Sequence, residues 1–297
     1  MTGPPGTDRL SDLGRARDEV GEVLEVELLG GGLVEITARL PHLAATARAG
    51  EFAQLRAWQG VEPLLRRPFS VAWTEGDRCA FVLEAVGSGT RMLVALRPGD
   101  ALRSLGPLGN GFGFDPCPAR ALVVSGGLGC APFPLLVRAL RRAGCPDVTV
   151  LSGATTGARL YPAERFRRGD GGVAVLEATD DGSRGHRGRV TDLVAAHCDA
   201  ATTVYACGPN LMLAALTSTL AGLASPPRRA EVSLEAPMGC GFGTCLGCAL
   251  PVVAGGGPDA PREHGTAWAL CCRSGPVMEV SRVAWPELLA LPPAHVA

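Results

Sequence analysis

The chain has 297 residues, 46% hydrophobic and 19% charged, with a formal net charge of −1. This length supports two or three domains, each with its own core. The near-neutral balance offers no footprint for nucleic acid or an anionic membrane, and no apolar run reaches the ~18 residues of a membrane span.

In chain order, residues 1–17 are rich in glycine, proline and charge and read as a mobile tail. Residues 18–116 are β-like. Val23–Leu28 and Leu33–Ala38 alternate in part, Phe69–Trp73 and Ala80–Val86 read as further strands, and Glu75-Gly76-Asp77 marks a turn. Short strands at this interval predict a small antiparallel β-barrel. Residues 117–228 change character. Apolar runs at Ala121–Ser125, Val148–Leu151, Val173–Leu176 and Thr203–Ala206 alternate with helical patterns at Pro132–Ala143, Arg189–Ala196 and Asn210–Leu220. Buried parallel strands read this way, and their alternation with helices predicts a doubly wound α/β nucleotide-binding domain. Ser225–Arg229 reads as a linker. Residues 229–297 read as a small third domain built round thiols, with 254–267 an exposed loop.

The run Gly239-Cys240-Gly241-Phe242-Gly243-Thr244-Cys245-Leu246-Gly247-Cys248, with Cys271-Cys272 downstream, is the most informative stretch. C-x4-C-x2-C plus one distant cysteine is the plant-type [2Fe–2S] pattern. Its glycines let the backbone curl closely round inorganic sulfide. Structural zinc sites use two short hooks, one per ligand pair, and three thiols on one loop suit zinc poorly. Cys240, Cys245 and Cys248 are therefore candidate cluster ligands. The fourth is Cys271 or Cys272, and spacing alone does not choose. No secretory leader opens the sequence, so a reducing cytoplasm is expected and a disulfide framework is not. Cys79, Cys117, Cys145 and Cys198 read as small core or surface residues.

Four other stretches offer ligand chemistry. Gly126-Gly127-Leu128-Gly129 lies between a predicted strand and helix, where glycines admit a pyrophosphate to a helix N-terminus; a tight structural turn is the alternative. Cys207-Gly208-Pro209 occupies the same kind of position, though taken alone it reads better as a plain helix start with proline. Arg67-Pro68-Phe69-Ser70 combines a phosphate-gripping guanidinium, an aromatic face and a hydroxyl. Gly87-Ser88-Gly89-Thr90 offers backbone N–H groups to an anion, or is a glycine turn between strands.

In this order the motifs resemble the electron-transfer subunits of type B dihydroorotate dehydrogenase, within the ferredoxin-reductase-like flavoproteins. The likeness runs from about Val23 to Val280, and is carried most specifically by Leu108-Gly109-Asn110-Gly111-Phe112 and the cysteine loop, with Thr179–Ser183 and Ser233-Leu234-Glu235 in support. It implies an FAD-binding barrel, an NAD-binding domain, a C-terminal [2Fe–2S] domain, and an FMN-containing catalytic partner in a two-plus-two heterotetramer. Carried over by motif, Arg67, Pro68, Phe69 and Ser70, with Val82, Leu83, Glu84, Gly89 and Thr90, contact FAD. Gly126, Gly127, Gly129, Cys207, Gly208 and Pro209 line the NAD site. The family's remote cysteine precedes a Gly-Pro-Val turn, which implies Cys272. Three departures stand out: Glu84 where the family often has Arg, Cys130 in the glycine loop, and an insertion around Gly255–Gly265.

The cofactor set implies an order. A cluster moves single electrons, nicotinamide takes a hydride, and flavin accepts either, so FAD stands between them. No residue is nominated as a general base, so the chain supplies no catalytic side chain. Related reductase subunits serving ferredoxin or hydrogenase are the main alternative, and an Fe–S sensor with a vestigial flavin site is another. NADP needs an Arg for its 2′-phosphate, and Arg159 and Arg184 are placed for it.

Overall fold

The computed structural model describes residues 12–254 and 265–291. Most of the expected tail, 1–11, lies outside them. The described part is tied down: Leu13–Arg15 form a 3₁₀ turn, and Arg15 reaches Glu51 and the carbonyl of Thr46 (2.7 Å).

The first sheet comprises β1 (Arg17–Gly30), β2 (Leu33–Arg39), β3 (Phe52–Arg56), β4 (Arg67–Ser70), β5 (Trp73–Glu75), β6 (Arg78–Glu84) and β7 (Ala101–Leu108). It is antiparallel throughout, in the order β4-β3-β7-β1-β2-β6-β5. Its edges curl together at the link between β4 and β5, where Val71 N–H donates to Glu51 O (3.1 Å) and Ala72 N–H to Ala80 O (2.8 Å). β1 is long because its first half pairs with β7 and its second with β2. β2 alternates poorly because both its faces are covered. Glu35, buried on this strand, is held by Arg165 (2.9 Å) and the Tyr161 hydroxyl (3.3 Å) of the next domain. Two short helices pack on this sheet, α1 (Pro41–Thr46) and α2 (Ser88–Val94).

The second sheet begins with β8 (Arg120–Gly126), β9 (Asp147–Ala154), β10 (Val173–Thr179), β11 (His186–Arg187), β12 (Thr202–Cys207) and β13 (Arg229–Ser233). These are parallel, in the order β11-β10-β9-β8-β12-β13. The chain moves one way from β8 to β11 and then returns to the other side of β8. Strand order therefore reverses between β8 and β12, where open α/β sheets bind ligands. Helices α3 (Phe133–Arg142), α4 (Ala163–Arg167), α5 (Val194–His197) and α6 (Asn210–Ala221) make the connections. α3 buries Phe133, Leu136, Val137 and Leu140, the apolar stripe its spacing predicts. Arg229–Ser233, assigned by sequence to the linker and third segment, belongs to this sheet. Its buried Glu231 interrupts the apolar run that marks a parallel strand, and is satisfied by Arg229 (2.6 Å) and Gly113 N–H (2.7 Å).

The last segment contains the ribbon β14 (Ala249–Val253) and β15 (Thr266–Leu270), then α7 (Cys271–Ser274), β16 (Val277–Glu279) and α8 (Trp285–Ala290). β16 returns to the second sheet, antiparallel to β13. The insertion expected near 255–265 lies, but for Gly265, outside the described residues.

Residues 108–112 join the three parts. Asn110 is buried; its Nδ2 donates to Ser274 O (3.0 Å), its Oδ1 accepts from Val277 N–H (3.1 Å), and its own N–H donates to Gly275 O (2.7 Å). Phe112 stacks on Phe133 of α3 (5.9 Å) and meets Tyr205 of β12 edge-on (5.6 Å). A Cβ on Gly109 would strike Pro276 at 2.6 Å, which explains the glycine.

Candidate functional site

The ribbon delivers the distant cysteine. Ala249 pairs with Leu270, so Cys248, just before β14, meets Cys271 and Cys272, just after β15. Cys271 N–H donates to Cys248 O (2.9 Å). Residues 271–274 are helical, so the two adjacent thiols diverge round a helix rather than across an extended segment. Cys272 Sγ lies 3.2 Å from Cys248 Sγ, whereas the Cys271 thiol turns into the core, donating to Leu234 O (3.6 Å).

The thiols stand in pairs. Cys272 N–H donates to Cys248 Sγ (3.5 Å), and Cys245 N–H to Cys240 Sγ (3.5 Å). The thiol–thiol hydrogen bond, and then backbone N–H groups working against burial, lower Cys248; the same bond raises Cys272. For Cys240, burial is outweighed by backbone N–H groups of Cys245, Phe242 and Thr244, which bring it to about 7. Backbone dipoles thus favour thiolate here, as iron ligation requires. Cys271 is raised, by burial first and then by Cys248. Among the described residues no three His, Cys, Asp or Glu side chains close on one point as a single ion demands. A two-iron cluster with two terminal thiolates per iron is suited by pairs.

The loop between the pairs passes close to the barrel. Gly241, at φ 83°, leaves room for Gln54 of β3, whose Cγ and Nε2 lie 2.8 Å from where a Cβ would stand. Gln54 is fully buried, and neither polar atom of its amide has a hydrogen-bond partner. A buried orphan amide costs about 1–3 kcal/mol. Its place beside the cysteine loop fits a cluster that would take up an amide N–H. Gln54→Leu is then expected to raise the melting temperature of cluster-free protein and lower that of loaded protein. A shift of the same sign in both forms would contradict the fit.

On the neighbouring strand, where Pro68 pairs with Gln54, β4 presents Arg67, Pro68, Phe69 and Ser70, all half-buried, at the sheet's edge. Arg67 reaches the start of α2: a Cβ on Gly89 would meet its Nε at 2.9 Å, and that Nε is buried without a partner. A guanidinium beside the N-terminus of α2 is suited to a phosphate. Gly87–Thr90 begin this helix rather than a turn between strands. Thr90 faces inward. Its hydroxyl accepts from Val86 N–H (2.9 Å) and Gly87 N–H (2.8 Å) and donates to Gly87 O (3.1 Å), so it shapes the turn. Val82 and Leu83 are buried in the barrel core on β6, paired with β2, and offer no side chain to a ligand. Glu84 is ion-paired to Arg159 (2.8 Å) across the seam between the sheets.

At the switch point the two glycine loops touch backbone to backbone. A Cβ on Gly129 would fall 2.2 Å from Cys207 O, and one on Gly208 would fall 3.2 Å from Gly126 N. Gly127 takes φ 55°. Cys207 is a neutral thiol, pushed up to about 12 by burial and then by Glu235. Cys130 is buried too, its thiol on Leu128 O (3.8 Å), and burial raises it further.

No family model matches the chain. It is 36% identical over 265 residues to the dihydroorotate dehydrogenase B (NAD(+)) electron transfer subunit of Geobacillus thermodenitrificans, covering 88% of this chain and 96% of that one. Its identity to the subunit of the same name from Bacillus caldolyticus is 38% over 238 residues, 79% and 86% of the two chains. The Desulforamulus reducens subunit is 34% identical over 268 residues, 89% and 97% of the two chains. The chain belongs to the dihydroorotate dehydrogenase B electron transfer subunit family. Among solved structures, that of an NADH-dependent reduced ferredoxin-NADP oxidoreductase superposes with TM-score 0.75 at 26% identity, over 91% of this chain and 92% of that one. A ferredoxin reductase of carbazole 1,9a-dioxygenase shares the fold, with TM-score 0.61 at 23% identity over 71% and 67%.

Within this electron transfer subunit, the structure brings Cys240 near Cys245, Cys248 against Cys272, and Arg67 over Gly89. Sequence reasoning missed Gln54. One amide in an unrecognised strand carries no local signal, and only the loop folded over it makes it notable.

Proposed function

We propose that this subunit carries electrons from dihydroorotate, oxidised on a separate FMN-containing catalytic subunit, to NAD+. It would hold a [2Fe–2S] cluster on Cys240, Cys245, Cys248 and Cys272, FAD against β4 and α2, and NAD at the switch point. The observation that carries this reading is the pairing of Cys248 with Cys272 beside a loop packed directly on the flavin-type barrel. Bound FAD would supply exchange between two-electron and one-electron chemistry. The protein's part is positional. Arg67 offers charge to a phosphate, Phe69 and Pro68 offer a face to a ring, and the apposed glycine loops admit a pyrophosphate to the ends of β8 and β12.

NAD is favoured over NADP by ion pairing. Arg159 is engaged by Glu84 (2.8 Å) and Arg184 by Glu177 (2.8 Å), so neither guanidinium is free for a 2′-phosphate. Among the described residues no helix is long and apolar enough to cross a membrane, and we place the subunit in the cytoplasm on the strength of its eleven cysteines, none of them paired in a disulfide.

The rim of the cysteine loop is the face offered to the catalytic partner. Leu246 is 63% exposed, Phe242 39%, Leu64 73% and Leu65 47%. Leu65 lies beside Gly239. Apolar side chains grouped on a surface mark an interaction site. Leu246→Asp is expected to weaken the two-subunit complex at least about tenfold without changing the flavin and cluster spectra. Leu246 holds φ 60°, a conformation Asp tolerates better than Leu, so the variant folds.

The reading is tested by reconstituting the subunit with a dihydroorotate-oxidising partner. Dihydroorotate-dependent reduction of NAD+ at a rate well above that of NADP+ is expected. A complex that reduces ferredoxin or NADP+ but not NAD+ would replace it with the ferredoxin-linked alternative.

A further inference from the structure

We propose that a cleft between α3 and the end of α4 binds a short polyphosphate, free or as the phosphate chain of a nucleotide. The cleft has a volume of about 250 Å³ and is lined by Arg138, Arg141 and Arg142 of α3, Arg167 and Arg168 at the end of α4, and Asp170. Five guanidiniums thus face one carboxylate, leaving four net positive charges in a protein whose total is −1.

The charge is held in place but not neutralised. Among the described residues only Arg141 of the five is ion-paired, to Asp170 at 2.8 Å. The rest of the engaged guanidiniums have uncharged partners. Arg138 donates to Thr74 O, Arg167 to Val173 O (3.1 Å), and Arg168 lies over the Trp73 ring at 3.9 Å from its centroid. Arg142 is exposed at the end of α3. This crowding is unfavourable by itself. Burial and then the charges of Arg142 and Arg168 push the Arg138 guanidinium below its ordinary range, against an opposing contribution from Glu75. Arg168 takes φ 42° as the left-handed cap that ends α4, its N–H donating to Glu164 O.

A linear oxyanion relieves the crowding. The guanidinium fork matches phosphate oxygens bidentately, and a chain of two or three phosphoryl groups brings comparable negative charge. A concave site of this volume suits a small ligand rather than an extended nucleic acid or membrane surface. It also lies apart from the switch point. α3 starts at the glycine loop, and the second half of its ten residues lines the cleft, with Arg142 roughly 14 Å from the helix start along its axis. Arg138 and Arg168, held by Thr74 O and the Trp73 ring of β5, are the lining residues that also touch the barrel.

The test is calorimetric titration of the cofactor-loaded subunit at physiological salt. Sodium tripolyphosphate, pyrophosphate, orthophosphate and a pyrimidine nucleoside triphosphate are compared, the last because it lacks the adenine of FAD and NAD. Tripolyphosphate is expected to bind saturably, at least tenfold tighter than orthophosphate and unaffected by saturating NAD+. Arg142→Ala, a solvent-exposed change, is expected to weaken it at least tenfold, with Arg103→Ala on β7 as the unchanged control. Nucleotide binding equal to that of tripolyphosphate identifies the phosphate chain as the whole ligand, and tighter binding adds a contact to the nucleoside; both uphold the site. Absence of saturable binding, full affinity in Arg142→Ala, or displacement by NAD+ would each overturn the proposal.

Discussion

Cys272→Ser is expected to empty the protein of cluster iron, while Cys271→Ser leaves the iron content unchanged. The two residues are neighbours of identical chemistry, so the difference measures geometry alone. The Cys272 thiol stands 3.2 Å from Cys248 Sγ, facing the thiol whose proton is most readily lost of that pair. The Cys271 thiol is buried on the other side of the same helical turn, donating to Leu234 O (3.6 Å), and faces none of the other loop thiols. A serine at 271 keeps a donor for that carbonyl, so its cost is confined to a small buried polar change of about 1–2 kcal/mol. Iron and acid-labile sulfide assays after anaerobic reconstitution, with the electron-spin signal of the reduced protein, read both variants. Loss of iron in Cys271→Ser together with retention in Cys272→Ser would reverse the ligand assignment.

Asn110→Ala is expected to be among the most destabilising single changes outside the cofactor loops. Asn110 is buried, and its amide clamps Ser274 O and Val277 N–H, which flank the turn after Cys272. Removing it leaves a buried carbonyl and a buried N–H without that partner, a loss of about 2–4 kcal/mol. For a protein of this size that corresponds to a fall in melting temperature of roughly 5–15 °C. Because the clamp positions the segment carrying Cys272, cluster retention during anaerobic gel filtration is expected to fall with it. Asn110→Asp, which keeps the acceptor for Val277 N–H but loses the donor to Ser274 O, should lie between. Unfolding followed by circular dichroism alongside iron content separates the stability effect from the cofactor effect. An unaltered melting temperature would show that the motif does not join the domains as described.

Local pattern made much of this legible. Apolar runs separated by glycine turns announced β8, β9, β10 and β12, because a strand buried on both faces leaves a continuous signature. The spacing of three cysteines on one glycine loop marked them as candidate ligands, and the structure brings Cys240 near Cys245 and Cys248 against Cys272. Where local pattern failed, neighbours distant in sequence were responsible. β3 and β7 escaped notice because their polar residues, Gln54 and Ser104, are buried by contacts outside each strand. β13 was hidden by Glu231, acceptable in a core only because Arg229 and Gly113 meet it there. The pairing of Glu84 with Arg159, 75 residues away, has no local signal either.

The sequence alone determined the electron-transfer subunit family, because its motifs are properties of short runs of residues: four thiols in a fixed spacing, glycines where the backbone must turn tightly. Tertiary structure decided which of two adjacent thiols faces Cys248, which arginines are engaged, and how 108–112 joins the barrel, the parallel sheet and the cysteine segment. Those outcomes depend on side-chain direction and on partners brought together across 100 residues or more, such as Asn110 and Ser274, separated by 164, and no local window of sequence contains them.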